Sequence, residues 1–361
     1  MHIPDGYLSP ATCAALYGGA APFWYVALRR VRTALHTRLV PRLSLLAAFC
    51  FVIMMFNLPL PGGTTGHAVG IGVAAVVLGP WAAMLAISIA LTIQALFFGD
   101  GGITAIGANC FNMAIVGSLI AYGVYRAIAR RAPLNSARRV VAAGIAGYAG
   151  INIAALCAAI EFGIQPALYR DAAGAPLYCP YPLHIAIPAM MIGHLTVAGI
   201  AELFVSAGVV AFLQQSDPAM LRSTSGVAEN LQAASSPAKA LRPLWLGLGT
   251  LMILTPIGIL AGGAAWGEWV ASDYANPAAR QQIAASSFHQ LPPAQVPKGL
   301  ERLSAVWTAP FAQYAPPYIK SRAFGYLLCA MFGVGLVMVG SFGAGWLLRS
   351  QERAREQAAG S

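Results

Sequence analysis

Charge is what this 361-residue chain has least of: Asp, Glu, Lys and Arg together make up 9% of it, where ordinary soluble domains carry roughly 25%. Lysine occurs only at Lys239, Lys298 and Lys320, none of them in a G-x-x-x-x-G-K-[ST] phosphate loop. The sequence therefore lacks the phosphate-loop signature of an ATP-hydrolysing domain. Neither G-x-S-x-G nor H-E-x-x-H occurs, which removes two common signatures of hydrolytic enzymes. The six cysteines, Cys13, Cys50, Cys110, Cys157, Cys179 and Cys329, are scattered. No close pair suggests a zinc site or redox motif, and a disulfide framework is not expected. The opening MHIPDGYLSP lacks the basic segment and unbroken apolar run of a secretion signal.

Apolar residues fill the place of the missing charge, at 58% of the chain. Such a composition predicts an all-α, polytopic helical membrane protein. The formal charge of +10 does not point to nucleic acid, because the basic residues lie between apolar runs and not on a soluble face with interleaved aromatics. A hydrocarbon core roughly 30 Å thick needs about 20 apolar residues per helix. The runs that approach this length are 10–28, 44–60, 67–79, 81–98, 103–126, 139–162, 184–213, 244–262 and 323–348. The third ends at Gly79-Pro80 and is short enough to be a partial span.

Arginines gather after the first, fifth and last of these runs, at Arg29 to Arg42, Arg126 to Arg139 and Arg349 to Arg355. The positive-inside tendency then puts the N-terminus outside and the C-terminus in the cytoplasm of a bacterial inner (cell) membrane. Residues 214–243, rich in Ser, Ala and Pro, read as a cytoplasmic linker. The expected organisation is a seven-helix unit over 1–213, the linker, and a module over 244–361 with two further transmembrane helices and an outside segment.

Met1-His2 carries the first sign of chemistry. A methionine aminopeptidase spares Met before a side chain as large as histidine, so the free amine is expected to stay. Amine, deprotonated His2 amide and imidazole Nδ1 can close a five-membered and then a six-membered chelate ring. Three nitrogens near one plane suit Ni(II) or Cu(II), with Co(II) also possible. His67, in the outward loop PGGTTGHAVG, is the candidate for the fourth position. Thr65 is placed to cap a helix starting there, whose positive end would keep His67 neutral.

MHIPDGYLSP, GGTTGHAVGIGVAAVVLGPWAAM from Gly62 and GANCFNMAIVG from Gly107 together resemble the cobalt/nickel permeases of the energy-coupling factor type, the CbiM/NikM family, over about residues 1–213. LTPIGILAGGAAWGEWVASD, from Leu254, is similar to the NikN/CbiN-like or PDGLE-like module that some members carry as a fusion. The resemblance implies metal ligands at the Met1 amine, the His2 amide and imidazole, and His67. It implies a transported Ni(II) or Co(II) ion with no other cofactor, and a substrate-binding (S) role beside a transmembrane coupling (T) subunit and a pair of cytoplasmic ATPases. Nickel and cobalt are not distinguished.

Asn109 and Asn112 lie three apart, on one face of a regular helix, and are expected to face the bundle and hold the N-terminal segment from behind the ligands. Glu202 and His194, ionisable and inside the seventh span, form the rival constellation, that of a proton-coupled divalent-metal carrier. Asp100, Glu161 and His184 fall near outer helix ends, where water can solvate them. The second module has a single histidine, His289, and is assigned to metal loading or release.

Overall fold

A computed structural model describes residues 1–34, 39–226 and 237–360. Ser9 starts the first helix: its hydroxyl accepts the Thr12 N–H at 3.0 Å, and Pro10 follows in the first turn, the pairing that helix N-termini favour. Helix α1 spans Pro10–Ala34 and α2 Leu39–Ile53. An antiparallel hairpin, β1 (Leu58–Leu60) and β2 (Thr64–Gly66), precedes α3 (Ile71–Leu78). Four long helices complete the first unit: α4 (Pro80–Phe98), α5 (Ile106–Ala129), α6 (Ala137–Leu168) and α7 (Leu183–Ser216). The remainder contributes α8 (Leu241–Leu260), two short helices α9 (Pro277–Ser286) and α10 (Lys298–Ser304), and α11, membrane-length over Arg322–Gly343.

Helix falls on each expected span, and six among the described residues are long and apolar enough to cross a membrane. Two boundaries differ for local reasons. The second span stops at Ile53, because Pro59 and Pro61 turn the chain into the hairpin. The third begins at Ile71, since Gly70 adopts a φ of 80° that breaks helical geometry just before it. At eight residues α3 is about 12 Å long and cannot span a bilayer. The expected linker is also more structured than its composition suggested. Residues 218–225 form short helical turns with Met220 and Leu221 buried, and the Thr224 hydroxyl bonds the Val76 carbonyl. Residues 227–236 of that linker lie outside the described residues.

Helix α6 is central, packing on α3, α5 and α7. The second unit is not a separate body. Helix α11 packs on α2 and α4, the Tyr326 hydroxyl donates to the Met55 carbonyl at 2.8 Å, and the Thr65 N–H reaches the Ala264 carbonyl at 3.2 Å. Three of the long helices contain wide π turns, at Gln94–Phe98, Cys110–Gly117 and His194–Ala198. Such turns are frequent at functional sites.

Candidate metal compartment

The first ten residues are not a free tail. Asn109 Oδ1 accepts the Ile3 N–H at 2.8 Å while its amide donates back to the Ile3 carbonyl at 3.1 Å. The Asp5 carboxylate accepts the N–H groups of Ile103 and Thr104 at 3.1 and 2.8 Å. The Ser9 N–H reaches Gln165 Oε1 at 3.0 Å, and the Tyr7 hydroxyl donates to the Trp269 carbonyl at 2.8 Å. Gly102 has no side chain for a reason: a Cβ there would overlap the Asp5 backbone. These anchors pull Met1 and His2 into the protein, 4% and 1% exposed.

His2 lies beside His67, with ring centroids 5.1 Å apart at 66°. His67 is itself buried, and its Nδ1 lies 3.0 Å from the Ala68 carbonyl, leaving Nε2 as the nitrogen with a lone pair to offer. His2 Nδ1 is 3.2 Å from Asp100 Oδ1 and 3.3 Å from the Asp100 carbonyl, and His2 Nε2 is buried with no partner. Burial pulls the His2 imidazole down to about 4, against the opposing charge of Glu268, and pulls His67 to about 3, aided by His2 and the amine. Both rings are neutral at physiological pH, as metal ligands must be. Among the described residues no three His, Cys, Asp or Glu side chains are arranged to hold a metal.

Two residues of the second unit reach this compartment, which sequence reasoning missed. Glu268 Oε1 lies 3.4 Å from the Met1 amine. Tyr314 donates to Asp100 Oδ2 at 2.7 Å, and Gln94 bonds both Asp100 at 3.2 Å and Tyr314 at 2.9 Å. Asp100 is therefore fixed from behind and not left to water, as its place near a helix end suggested. Gln313 and Tyr314 adopt φ values of 54° and 57°, uncommon for residues with a side chain, and the buried network around the Tyr314 hydroxyl holds them there. Trp266-Gly267-Glu268 was the visible trace of this roof. Its indoles pack with Tyr181, and Trp266 also meets Phe162.

Other expected placements change. Thr65 caps no helix: it belongs to β2 and its hydroxyl donates to the Gly263 carbonyl at 3.3 Å. Burial, not a helix dipole, keeps His67 neutral, since α3 starts four residues later. Asn112 does not share the task of Asn109. The π turn beginning at Cys110 widens the helix, so a three-residue spacing no longer returns to one face, and Asn112 donates instead to Glu161 Oε2 at 2.8 Å. His184 is exposed.

Glu202 and His194 are engaged in structural bonds. The Glu202 carboxyl accepts the N–H groups of Val69, Gly70 and Gly72 at 2.8, 2.9 and 3.0 Å, so it satisfies the free donors at the start of α3. His194 Nδ1 is 2.8 Å from the Met190 carbonyl, one turn back. Glu202→Gln should put an amide donor against these donors and lower thermal stability, by about 1–3 kcal/mol, while metal affinity falls less than tenfold. Loss of uptake from a variant with unchanged stability would favour the proton-coupled carrier. Differential scanning calorimetry, metal titration and vesicle uptake measured on the same preparation separate the two.

A helical bundle with six membrane-length helices that encloses two imidazoles and the Met1 amine at one end defines a class: a multi-pass membrane protein. The chain belongs to the family described as the cobalt uptake substrate-specific transmembrane region, which it matches over residues 2–220. Residues 242–350 match the PDGLE domain. Among its relatives are the fused nickel transport protein NikMN of Rhodobacter capsulatus, 54% identical over 94% of this chain and 96% of that protein, and the probable fused nickel transport protein LarMN of Lactiplantibacillus plantarum, 44% identical over 78% and 82%. A crystal structure of a truncated transition metal transporter superposes with a TM-score of 0.56 at 51% identity, covering 59% of this chain and 98% of that one. The protein is thus of the nickel and cobalt transport family and is not an enzyme.

Proposed function

We propose that this chain is the substrate-binding component of an energy-coupling factor importer for Ni(II) or Co(II). The observation that supports this best is the burial of Met1, His2 and His67 together, with the two imidazoles face to edge. The proposed donors are the Met1 amine, the His2 amide and Nδ1, and His67 Nε2. On loading, His2 Nδ1 exchanges its Asp100 contact for the metal. Asn109 holds the N-terminal segment in place, while Thr65 and Asn112 act one contact further away.

A coupling transmembrane subunit and two cytoplasmic ATPases supply the energy, in keeping with the lack of a phosphate loop in this sequence. The unit over 1–213 carries the ligands, and the module over 244–361 roofs them. With the N-terminus outside, the compartment opens toward the side from which a bacterial inner-membrane importer takes its cargo. The test is uptake of radioactive nickel by vesicles containing this chain with and without the coupling subunit and ATPases. Uptake is expected only with both partners and ATP. Uptake by this chain alone, driven by a proton gradient, would remove the ATP-dependent reading.

A further inference from the structure

The end of the bundle opposite the metal compartment has chemistry that metal transport does not use. Arg126, Arg130, Arg131 and Arg138, with Ala132 and Gly226, line a cavity of about 720 Å³ where α5 turns into α6. We infer that this cavity binds the phosphate headgroup of an anionic phospholipid.

Three of the four guanidinium groups are held in place by backbone oxygens. Arg126 Nη1 donates to the Thr224 carbonyl at 3.2 Å, Arg130 Nε to that of Ala127 at 3.3 Å, and Arg138 Nε to that of Ile128 at 2.6 Å. Carbonyls orient these cations without cancelling their charge. Among the described residues no carboxylate lies within 4.0 Å of any of the four, and the sequence has no Asp or Glu between Asp100 and Glu161. The turn itself is rigid. Arg130 adopts a φ of 47°, and the buried Arg139 ties it down through the Tyr125 hydroxyl at 2.8 Å and the carbonyls of Ala132 and Ser225 at 2.7 and 3.0 Å. Four like charges kept together by the fold call for an anion.

The helix below the cavity says which anion. Arg138, Val141 and Ile145 recur at i, i+3 and i+7, one face of α6. Val141 and Ile145 are 55% and 41% exposed on a membrane-length helix. The cationic cavity thus stands at the head of an apolar, lipid-facing stripe. A phosphate joined to acyl chains matches both halves, whereas free phosphate matches one. Basic pockets at the ends of membrane helices are a recurrent setting for such headgroups.

Native mass spectrometry of the full-length, delipidated protein tests this, with phosphatidylglycerol, phosphatidylcholine and inorganic phosphate as probes. The wild type is expected to retain phosphatidylglycerol at least tenfold better than phosphatidylcholine. Arg130→Gln/Arg131→Gln/Arg138→Gln, with Arg139 left to hold the turn, should lose roughly a hundredfold in that affinity, a factor of about five per arginine. Among the described residues Arg131 donates no hydrogen bond to the fold, so Arg131→Gln alone serves if the triple variant is unstable, with a severalfold loss. Equal retention of the two lipids, or undiminished phosphatidylglycerol binding by the variants, overturns the inference. Displacement of the lipid by millimolar inorganic phosphate would identify a free-anion site and overturn it too.

Discussion

A peptide tag placed ahead of Met1 is expected to abolish tight nickel and cobalt binding, while the same tag at the C-terminus leaves it intact. An extension converts the amine to an amide and removes the lone pair that begins the proposed chelate. It also has nowhere to go. Met1 is 4% exposed and its nitrogen faces Glu268 beneath the second unit, so added residues must break the anchors at Ile3, Asp5 and Tyr7 to leave. Loss of partners behind the ligands of a metal site costs about 10–100-fold. Loss of a ligand together with its ring should therefore cost more than about a hundredfold. Glu268→Gln, which keeps the amine and removes only its charged neighbour, is expected to stay within that smaller range. Isothermal titration with cobalt on mass-verified preparations decides the matter. An extended protein that binds as tightly as the native one rules out the amine as a ligand.

His2→Ala and His67→Ala are each expected to abolish tight binding while leaving the melting temperature of the metal-free protein within a few degrees of wild type. The rings donate little to the fold. His2 Nε2 has no partner, and the His67 bond goes to the adjacent residue. Bound Ni(II) in the native protein should be diamagnetic, because four nitrogens in one plane favour the low-spin state. The nearest competing oxygens belong to Asp100 and Glu268. If magnetic susceptibility instead shows a paramagnetic, six-coordinate ion, these carboxylates or water complete the shell, and the proposed donor set is wrong.

The helical architecture was readable because hydrophobic run length is a local property, and Met1-His2 could be singled out as a candidate chelate for the same reason, since its nitrogens are neighbours in the chain. What the sequence hid depends on tertiary approach. Asp100 looked solvated because Tyr314, which covers it, is 214 positions away. Asn112 was misplaced because nothing in CFNMAIVG announces a π turn. Thr65 looked like a helix cap because a Gly/Thr loop before an apolar run fits that pattern, whereas it pairs with Pro59 in the hairpin and its N–H reaches the Ala264 carbonyl of the other unit. A usable hint existed for Glu268. An acidic residue between two tryptophans, in a chain with twelve acidic residues in all, is expensive to place near a membrane unless something pairs with it.

The pairing of Met1 with Glu268 joins positions 267 apart, and this sets an order of events during synthesis. Met1 waits for a partner that emerges only after the seven-helix unit has been made. Until then the N-terminal segment can dock on Asn109 and the 99–104 loop, but the compartment above it has no roof. On the proposed donor set, a nascent chain halted before α8 is thus an open vessel whose nitrogens a metal ion would meet before the last two membrane helices have been inserted.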